Sequence, residues 1–377
     1  MRILLVISGL GLGGAEKQVI LLSNELCRRG HAVCIYALTN EIARADELAK
    51  GSAELLVDPK STRLDLRVLW RLRRHIHAWK PDIVHGFLFD GNIYARLAAA
   101  GSGVSVLDSE RNDSYALSGL QALGYRLTGG LSRGVVANSH AGSEFAANNY
   151  LRPGQDSHVL WNGIDLHELD RRLSPVPATA SEIVAGAGLK RVAVVGTIKP
   201  QKDQVLAMRV ARKLVDADDR WRMIVVGGEL SRKATDYKHQ VVKARDDLGL
   251  QDVVSFVGSR RDVPEIMASS DAVLVTSHHE GFPNVVLEAM ACRTPVVSTD
   301  YSDVRKILPM DWQVVASRDE DELVQALLRC DREREAVLIA QRRWVETHAT
   351  ASICAERLLS IYASYTPMAT TAAEQVG

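Results

Sequence analysis

Short apolar runs alternate with longer amphipathic stretches along this chain, and the alternation happens twice. Residues 3–7, 32–37, 83–85, 104–107 and 135–137 are short and mostly apolar, the pattern of strands buried on both faces of a parallel sheet. Residues 15–29 and 64–79 between them have helical periodicity. Strand and helix in turn imply a doubly wound α/β sheet. The rhythm pauses over 170–189, where Ser174-Pro175-Val176-Pro177-Ala178-Thr179 has linker chemistry. It restarts with strands expected at 192–195, 223–226, 253–256, 272–275 and 295–298. Residues 320–365 read as helices only, and the tail 366–377 as disordered. The fold class is therefore α/β with two similar halves, and a cleft between two such sheets is a natural ligand site.

At 377 residues the chain exceeds one ordinary domain. Lys+Arg and Asp+Glu are equal at 46 each, so no overall charge excess points to nucleic acid. Five cysteines without a C-x-x-C spacing form neither a disulfide framework nor a zinc site, and read as buried thiols in a reducing compartment. The opening Met1-Arg2-Ile3-Leu4-Leu5-Val6-Ile7-Ser8 runs straight into a glycine cluster, and reads as a first strand, not a signal peptide. No apolar run approaches the ~18 residues of a membrane span. The expectation is a cytoplasmic protein able to sit on a membrane surface.

Four motifs bear on chemistry. Gly9-Leu10-Gly11-Leu12-Gly13-Gly14 follows the first strand and opens a helix, where backbone amides and the helix dipole suit a phosphate. It fits the dinucleotide fingerprint, but strand two ends Tyr36-Ala37-Leu38-Thr39-Asn40, without the acid that holds a ribose. A ligand-free tight turn and an anion or acceptor loop remain open beside that reading. The second motif, His279-Glu280-Gly281-Phe282-Pro283-Asn284-Val285-Val286-Leu287-Glu288-Ala289-Met290-Ala291, is more specific. Pro283 suits a first helical position, and Asn284 and Glu288, four apart, share a face. Amides at the helix start suit a diphosphate, and the carboxylates suit ribose and sugar hydroxyls. Two acids that merely complement the helix dipole are the plainer alternative. Third, Gly196-Thr197-Ile198-Lys199-Pro200-Gln201-Lys202-Asp203 ends the first strand of the second half; a lysine there can pair a phosphate or simply be solvated. Fourth, Trp161-Asn162-Gly163-Ile164-Asp165 reads as a turn.

In this order the motifs resemble the retaining glycosyltransferases with two facing Rossmann-like domains, the GT-B type of family four. The match rests on Glu280 and Glu288 in E-x7-E, with Gly13-Gly14-Ala15-Glu16, Asn162-Gly163-Ile164-Asp165, Pro200-Gln201-Lys202-Asp203 and Val257-Gly258. The resemblance implies an acceptor-binding domain over 1–168, a linker over 169–189, and a nucleotide-sugar domain over 190–345. A C-terminal helix at 346–365 would cross back to the first domain. It implies a catalytic pair Glu280 and Lys202, and donor contacts at Gly281, Phe282, Pro283, Asn284, Glu288, Thr197, Ser259 and Arg260. Gly13, Gly14 and Arg111 would line an acceptor or phosphate loop. Three departures stand out: Thr197 where the family often has Arg, leaving Lys199 or Arg261 as substitutes; Arg293 where it usually has Gly; and Tyr301-Ser302-Asp303 where a glycine pair is common. Asp108-Ser109-Glu110-Arg111-Asn112-Asp113 stands where the family commonly shows a histidine, which leaves Arg111 for an acceptor phosphate or Glu110 for an acceptor hydroxyl.

The implied reaction transfers a sugar from a nucleotide diphosphate, UDP first and GDP second, with retained configuration and without metal or cofactor. Two surfaces of the first half bear on the acceptor. Residues 63–80 form a basic helix carrying Trp70 and Trp79, and 117–133 an apolar stretch with Tyr125 and Arg126; either can lie on lipid or pack as an ordinary helix. The leading acceptor is a lipid-linked saccharide of cell-surface polysaccharide assembly, a soluble saccharide the alternative. A nicotinamide oxidoreductase and a catalytically silent donor-binding scaffold are the rival functions.

Overall fold

The computed structural model describes residues 1–11, 13–111, 118–174, 188–229 and 232–366. Most of the expected linker and of the tail 366–377 lies outside them, as does Leu12. The chain divides into two compact units, Met1–Gly163 with the chain from Ala351 onward, and Ile164–Thr350.

The first unit carries β1 (Arg2–Ile7), α1 (Gly14–Arg28), β2 (Ala32–Ala37), β3 (Glu54–Val57), α2 (Leu66–Trp79), β4 (Ile83–Phe87), α3 (Leu88–Ala99), β5 (Ser105–Glu110), α4 (Gly119–Thr128), β6 (Gly134–Ala137), α5 (His140–Asn149) and β7 (Asp156–Val159). The sheet order is β3-β2-β1-β4-β5-β6-β7, all pairs parallel. Side chains of β1 alternate between two cores. Ile3, Leu5 and Ile7 pack with Val19, Leu22 and Leu26 of α1; Leu4 and Val6 pack with Val68, Leu72 and Ile76 of α2 and Ala95 of α3. A strand buried on both faces has no polar side to alternate, hence the unbroken apolar run. Helix α2 starts two residues later than the expected 64, because the Asp65 carboxylate accepts from the backbone amides of Arg67 and Val68 and caps it.

The second unit carries α6 (Leu166–Arg172), β8 (Lys190–Val195), α7 (Gln204–Ala217), β9 (Trp221–Val226), α8 (Arg232–Asp247), β10 (Val254–Gly258), α9 (Val263–Ala268), β11 (Ala272–Val275), α10 (Asn284–Ala291), β12 (Val296–Thr299), α11 (Val304–Ile307), β13 (Val314–Val315), α12 (Glu320–Arg332) and α13 (Arg334–His348). Its order, β10-β9-β8-β11-β12-β13, repeats that of the first unit. Both sheets reverse strand order beside their first strand, β1 against β4 and β8 against β11, the point where doubly wound sheets take ligands at the carboxyl ends of their strands.

Two boundaries differ from the sequence reading. The expected break at 168 falls inside α6, which belongs wholly to the second unit and is capped by Asp165, whose side chain accepts from the Glu168 amide. The expected break at 345 falls inside α13, and the change of unit comes at Thr350. The last helix, α14 (Ala351–Tyr365), then joins the core of the first unit through Cys354, Leu358 and Tyr362, and Ser105 Oγ donates to the Tyr365 carbonyl at 2.7 Å.

Candidate active site

At the switch point of the second sheet, β8 is followed by Gly196, with φ +144, and β9 by Gly227, with φ +149. The ends are knitted together: Gly196 N–H donates to the Val226 carbonyl at 2.9 Å, Ile198 N–H to Gly228 at 3.1 Å, and Gly227 N–H to Gly258 at 2.9 Å. A Cβ on Gly227 would strike the Gly196 carbonyl, and one on Gly196 would sit 3.2 Å from Lys202 Cε. The glycines thus make room for Lys202, which reaches back under the strand end from a short 3₁₀ turn at Pro200–Lys202. Its Nζ lies 2.7 Å from Glu280 Oε1, with both side chains mostly buried, 13% and 14% exposed. Glu280 also accepts from Ser277 Oγ at 2.5 Å. The pair joins the loop after β8 to the loop after β11, and Thr276 Oγ1 donating to the Lys202 carbonyl at 2.7 Å ties the same loops again.

Helix α10 begins at Asn284, with Pro283 as the residue before it; the expected first helical position of Pro283 is thus one residue off. Phe282 is buried, which anchors the loop between Glu280 and the helix, and Glu288 lies one turn along, half-buried. Ser302 Oγ donates to the Gly281 carbonyl at 2.8 Å, so the loop after β12 holds the same segment. Lys202, Glu280, Gly281, Phe282, Pro283 and Asn284 therefore form one contiguous patch. Thr197 lies beside it, its carbonyl accepting from Gln204 Nε2 at 3.1 Å. Ser259 and Arg260 stand at the rim: Ser259 Oγ fills the space a Cβ on Gly228 would take, and the Arg260 guanidinium is paired to Asp262 at 2.7 Å.

Sequence reasoning missed Arg318 and the role of Asp203. The Arg318 guanidinium binds Asp203 Oδ2 at 2.6 Å and the carbonyls of Ser277 and Thr276 at 2.9 Å. Asp203 itself, at φ +46, caps α7. The two lock the loops that present Lys202 and Glu280, and no local spacing signals a partner so distant along the chain. Tyr301 is buried, and burial first, then the Glu280 charge, raises its hydroxyl pKa well above the ordinary range. Among the described residues no three His, Cys, Asp or Glu side chains group as metal ligands.

In the first unit the glycine loop is filled by the chain itself. A Cβ on Gly9 would meet Thr39 Oγ1, and one on Gly11 would meet Glu41 Oε1, both at 2.6 Å. Leu10 N–H donates to the Glu41 carbonyl at 2.6 Å. Gly13 precedes α1 and Gly14 opens it. Arg111, just after β5, stands two strands from that loop in the sheet order. It is 6% exposed and lies over the Phe87 ring, Cζ 5.1 Å from its centroid; Nη1 donates to Asn162 Oδ1 at 2.9 Å, and Nε and Nη2 have no hydrogen-bond partner among the described residues. Burial lowers its pKa to about 10. Beside it, the fully buried His85 bridges Tyr362 OH at 2.7 Å and Ser109 Oγ at 2.8 Å; burial and then the Arg111 charge push it down to about 3. Asn162-Gly163 serves structure, since Gln18 makes two 2.8 Å bonds to the Gly163 backbone.

Two family profiles match adjoining parts of the chain: Glycosyltransferase Family 4 over residues 12–168, and Glycosyl transferases group 1 over 189–332. The chain belongs to the family 4, group 1 glycosyltransferases. Relatives of this glycosyltransferase-family chain include a D-inositol 3-phosphate glycosyltransferase of Mycobacterium sp. strain KMS, 38% identical over 144 residues, which is 37% of this chain and 31% of the relative. One of the same description from Frankia alni is 31% identical over 187 residues, 46% of this chain and 44% of the relative. The matches span less than half of these curated relatives. Among solved structures, Anabaena HepE in complex with UDP superimposes with a TM-score of 0.80 at 18% identity, over 97% of this chain and 100% of that one. A glycosyltransferase from Rickettsia africae gives 0.81 at 18%, over 97% and 98%. These likenesses are of fold, the two-domain α/β architecture called GT-B.

Two of this glycosyltransferase-family chain's departures have a backbone explanation. Arg293 follows the C-cap of α10 with φ +58, and Ser302 has φ +47. Both keep the left-handed geometry that glycine adopts most easily. Arg293 is exposed at the end of α10 remote from Asn284, so that substitution bears on helix termination. The structure offers no such backbone explanation for Thr197.

Proposed function

We propose that the protein is a retaining glycosyltransferase whose second unit binds a nucleotide-diphosphate sugar, UDP-linked first, at the end of β8 and the start of α10. The observation that carries this is the Lys202–Glu280 pair at the switch point, a cation and a sugar-facing carboxylate beside a helix N-terminus. The C1–O bond to the diphosphate breaks and its electron pair stays on the leaving oxygen. Lys202 and the Gly281–Asn284 backbone stabilise that charge. The acceptor hydroxyl forms the new C1–O bond on the same face, and its proton passes to the leaving phosphate. Glu280 orients sugar hydroxyls and Glu288 the ribose. The neighbours solved with UDP or UDP-glucose support the donor class. In this reading neither metal nor cofactor takes part, and activity survives a chelator.

The acceptor is a saccharide or lipid-linked saccharide of cell-surface polysaccharide assembly, handled in the cytoplasm at the membrane face. One observation favours a phosphate on it: a buried guanidinium at Arg111 with two donors that have no hydrogen-bond partner among the described residues, and Asn162 as its hydrogen-bonding neighbour. Relatives named for D-inositol 3-phosphate agree with an anionic acceptor of that kind. Calorimetric titration of UDP and GDP into wild type and Glu288→Ala tests the donor; tight binding weakened by the substitution is expected, and no binding of either nucleotide sinks the reading. Transfer from UDP-sugars to phosphorylated and unphosphorylated acceptors, in wild type and Arg111→Gln, tests the phosphate.

A further inference from the structure

The loops after β11 and β12 run side by side, and two hydrogen bonds fasten them at either end of one short stretch. Thr299 Oγ1 donates to the Ser277 carbonyl at 2.7 Å, and Ser302 Oγ to the Gly281 carbonyl at 2.8 Å. Between these clamps lie Glu280 on one loop and Tyr301 on the other. The Tyr301 carbonyl accepts from the Val304 amide at 3.2 Å, in the turn that leads into α11, so the residue is fixed from its own side as well. Its side chain is 6% exposed. It opens the stretch Tyr301-Ser302-Asp303 that departs from the family's glycine pair. Left-handed backbone accounts for Ser302, but not for the tyrosine.

The Tyr301 hydroxyl has no hydrogen-bond partner among the described residues. A buried donor left in that state carries a desolvation cost that phenylalanine, of the same shape, avoids. Its surroundings are polar all the same. Burial first, then the Glu280 charge, raises its pKa, and the Ser298 and Ser277 hydroxyls oppose that shift without closing a well-formed bond. Ser298 Oγ donates instead to the Thr299 carbonyl at 2.9 Å, and Ser277 Oγ to Glu280 Oε1. The neighbouring carboxylate is served on one side only. Both hydrogen bonds that Glu280 receives among the described residues, from Lys202 Nζ and from Ser277 Oγ, end on Oε1. A spare donor and a spare acceptor thus stand on facing loops.

In the proposed donor complex Lys202 turns to the diphosphate, and Glu280 loses its paired cation while only 14% exposed. A carboxylate so buried needs another donor, or the exchange is costly. We propose that Tyr301 is that donor: when Lys202 moves to the diphosphate, the tyrosine hydroxyl turns to Glu280 and holds the carboxylate in place for the sugar hydroxyls. Tyr301 is a positioning residue, acting through Glu280 and touching no substrate itself. This role rests on the donor reading above. A tyrosine kept only for packing would need no hydroxyl, and one kept to brace the free protein would already have it bonded.

Calorimetric titration of UDP into wild type, Tyr301→Phe, Glu280→Gln and the double variant closes a cycle. Tyr301→Phe should weaken UDP about tenfold, the weight of one hydrogen bond to a charged group. In the Glu280→Gln background, with no charge to compensate, the same change should matter by less than about twofold. Without nucleotide, Tyr301→Phe should melt at or above the wild-type temperature, because it removes an unsatisfied buried hydroxyl and keeps the ring. Unchanged UDP affinity in Tyr301→Phe, an equal loss in both backgrounds, or a lower melting temperature without nucleotide each overturns the proposal; the last would mean that the hydroxyl is bonded already. If wild type binds neither UDP nor GDP, the donor reading fails and the role of Tyr301 with it, whereas UDP binding untouched by Tyr301→Phe removes that role alone.

Discussion

Lys202 and Glu280 hold each other at 2.7 Å, yet in the proposed reaction the lysine belongs to a diphosphate. Binding of the donor must therefore exchange one anion for another. The carboxylate acts as a competitor already in place, and the two partners of a single ion pair should respond to substitution with opposite signs. A charge-assisted hydrogen bond in a mostly buried site contributes about 1.5–3 kcal/mol net. Lys202→Ala removes the contact to the diphosphate and leaves the Glu280 charge facing it, so UDP binding should weaken by roughly 10- to 150-fold at about 1.4 kcal/mol per decade. Glu280→Gln keeps the shape and removes the competing charge, so UDP should bind more tightly, up to about tenfold if near 1.4 kcal/mol of the pair energy is recovered. Turnover should fall in both, since the sugar loses its orienting carboxylate in one and its leaving group the cation in the other. The assay is calorimetric titration of UDP at fixed ionic strength, with transfer rates measured beside it. If Glu280→Gln weakened UDP as Lys202→Ala does, the pair would be a structural brace, and the exchange argument would be wrong.

Three further outcomes are expected. The unfolded chain protonates at the His85 imidazole below its ordinary value of 6.5, and the folded chain only near 3. Stability should therefore fall as pH falls through that window, by about 1.4 kcal/mol per pH unit; unfolding free energies from urea titration should drop from pH 7 to 5 by roughly 2 kcal/mol more in wild type than in His85→Gln. Arg293→Gly relieves a left-handed non-glycine residue at φ +58 and should raise stability by about 0.5–1 kcal/mol without altering UDP affinity; a loss in either measurement contradicts the helix-termination account. Gly227→Ala drives a methyl into the Gly196 carbonyl and should lower UDP affinity at least about tenfold by displacing the strand end over Lys202; unchanged affinity would mean the two strand ends are more pliant than their geometry implies.

Much of this architecture can be read from residue order, for identifiable reasons. Strands β1, β2 and β11 are central or well covered, and burial on both faces makes their sequences uninterrupted apolar runs. Strands β3 and β7 lie at the sheet edges, and their half-buried Glu54-Leu55-Leu56-Val57 and Asp156-Ser157-His158-Val159 carry too little apolar character to stand out. Strand β13 has two residues, below any period. Around the candidate site, Glu280 and Lys202 are signalled by local spacing. Arg318 is not, because its meaning comes from Asp203, 115 residues earlier. The glycine loop was legible as a close-approach turn, but the side chains that approach it, Thr39 and Glu41, belong to another loop.

The last helix has a consequence for how the protein is made. His85, at the centre of the first sheet, finds its hydrogen-bond partner in Tyr362, 277 residues on, and Leu358 and Cys354 close the same core. The second unit, from Ile164 to Thr350, contains everything it needs before those residues leave the ribosome. During synthesis the order of completion is thus inverted. The half made first must wait with one face of its core only partly covered, by α1, until residues 351–365 are translated. A stop codon before Ala351 would remove a short helix from the map, yet the larger loss would be to the earlier half of the molecule, whose core would be left open beside α1.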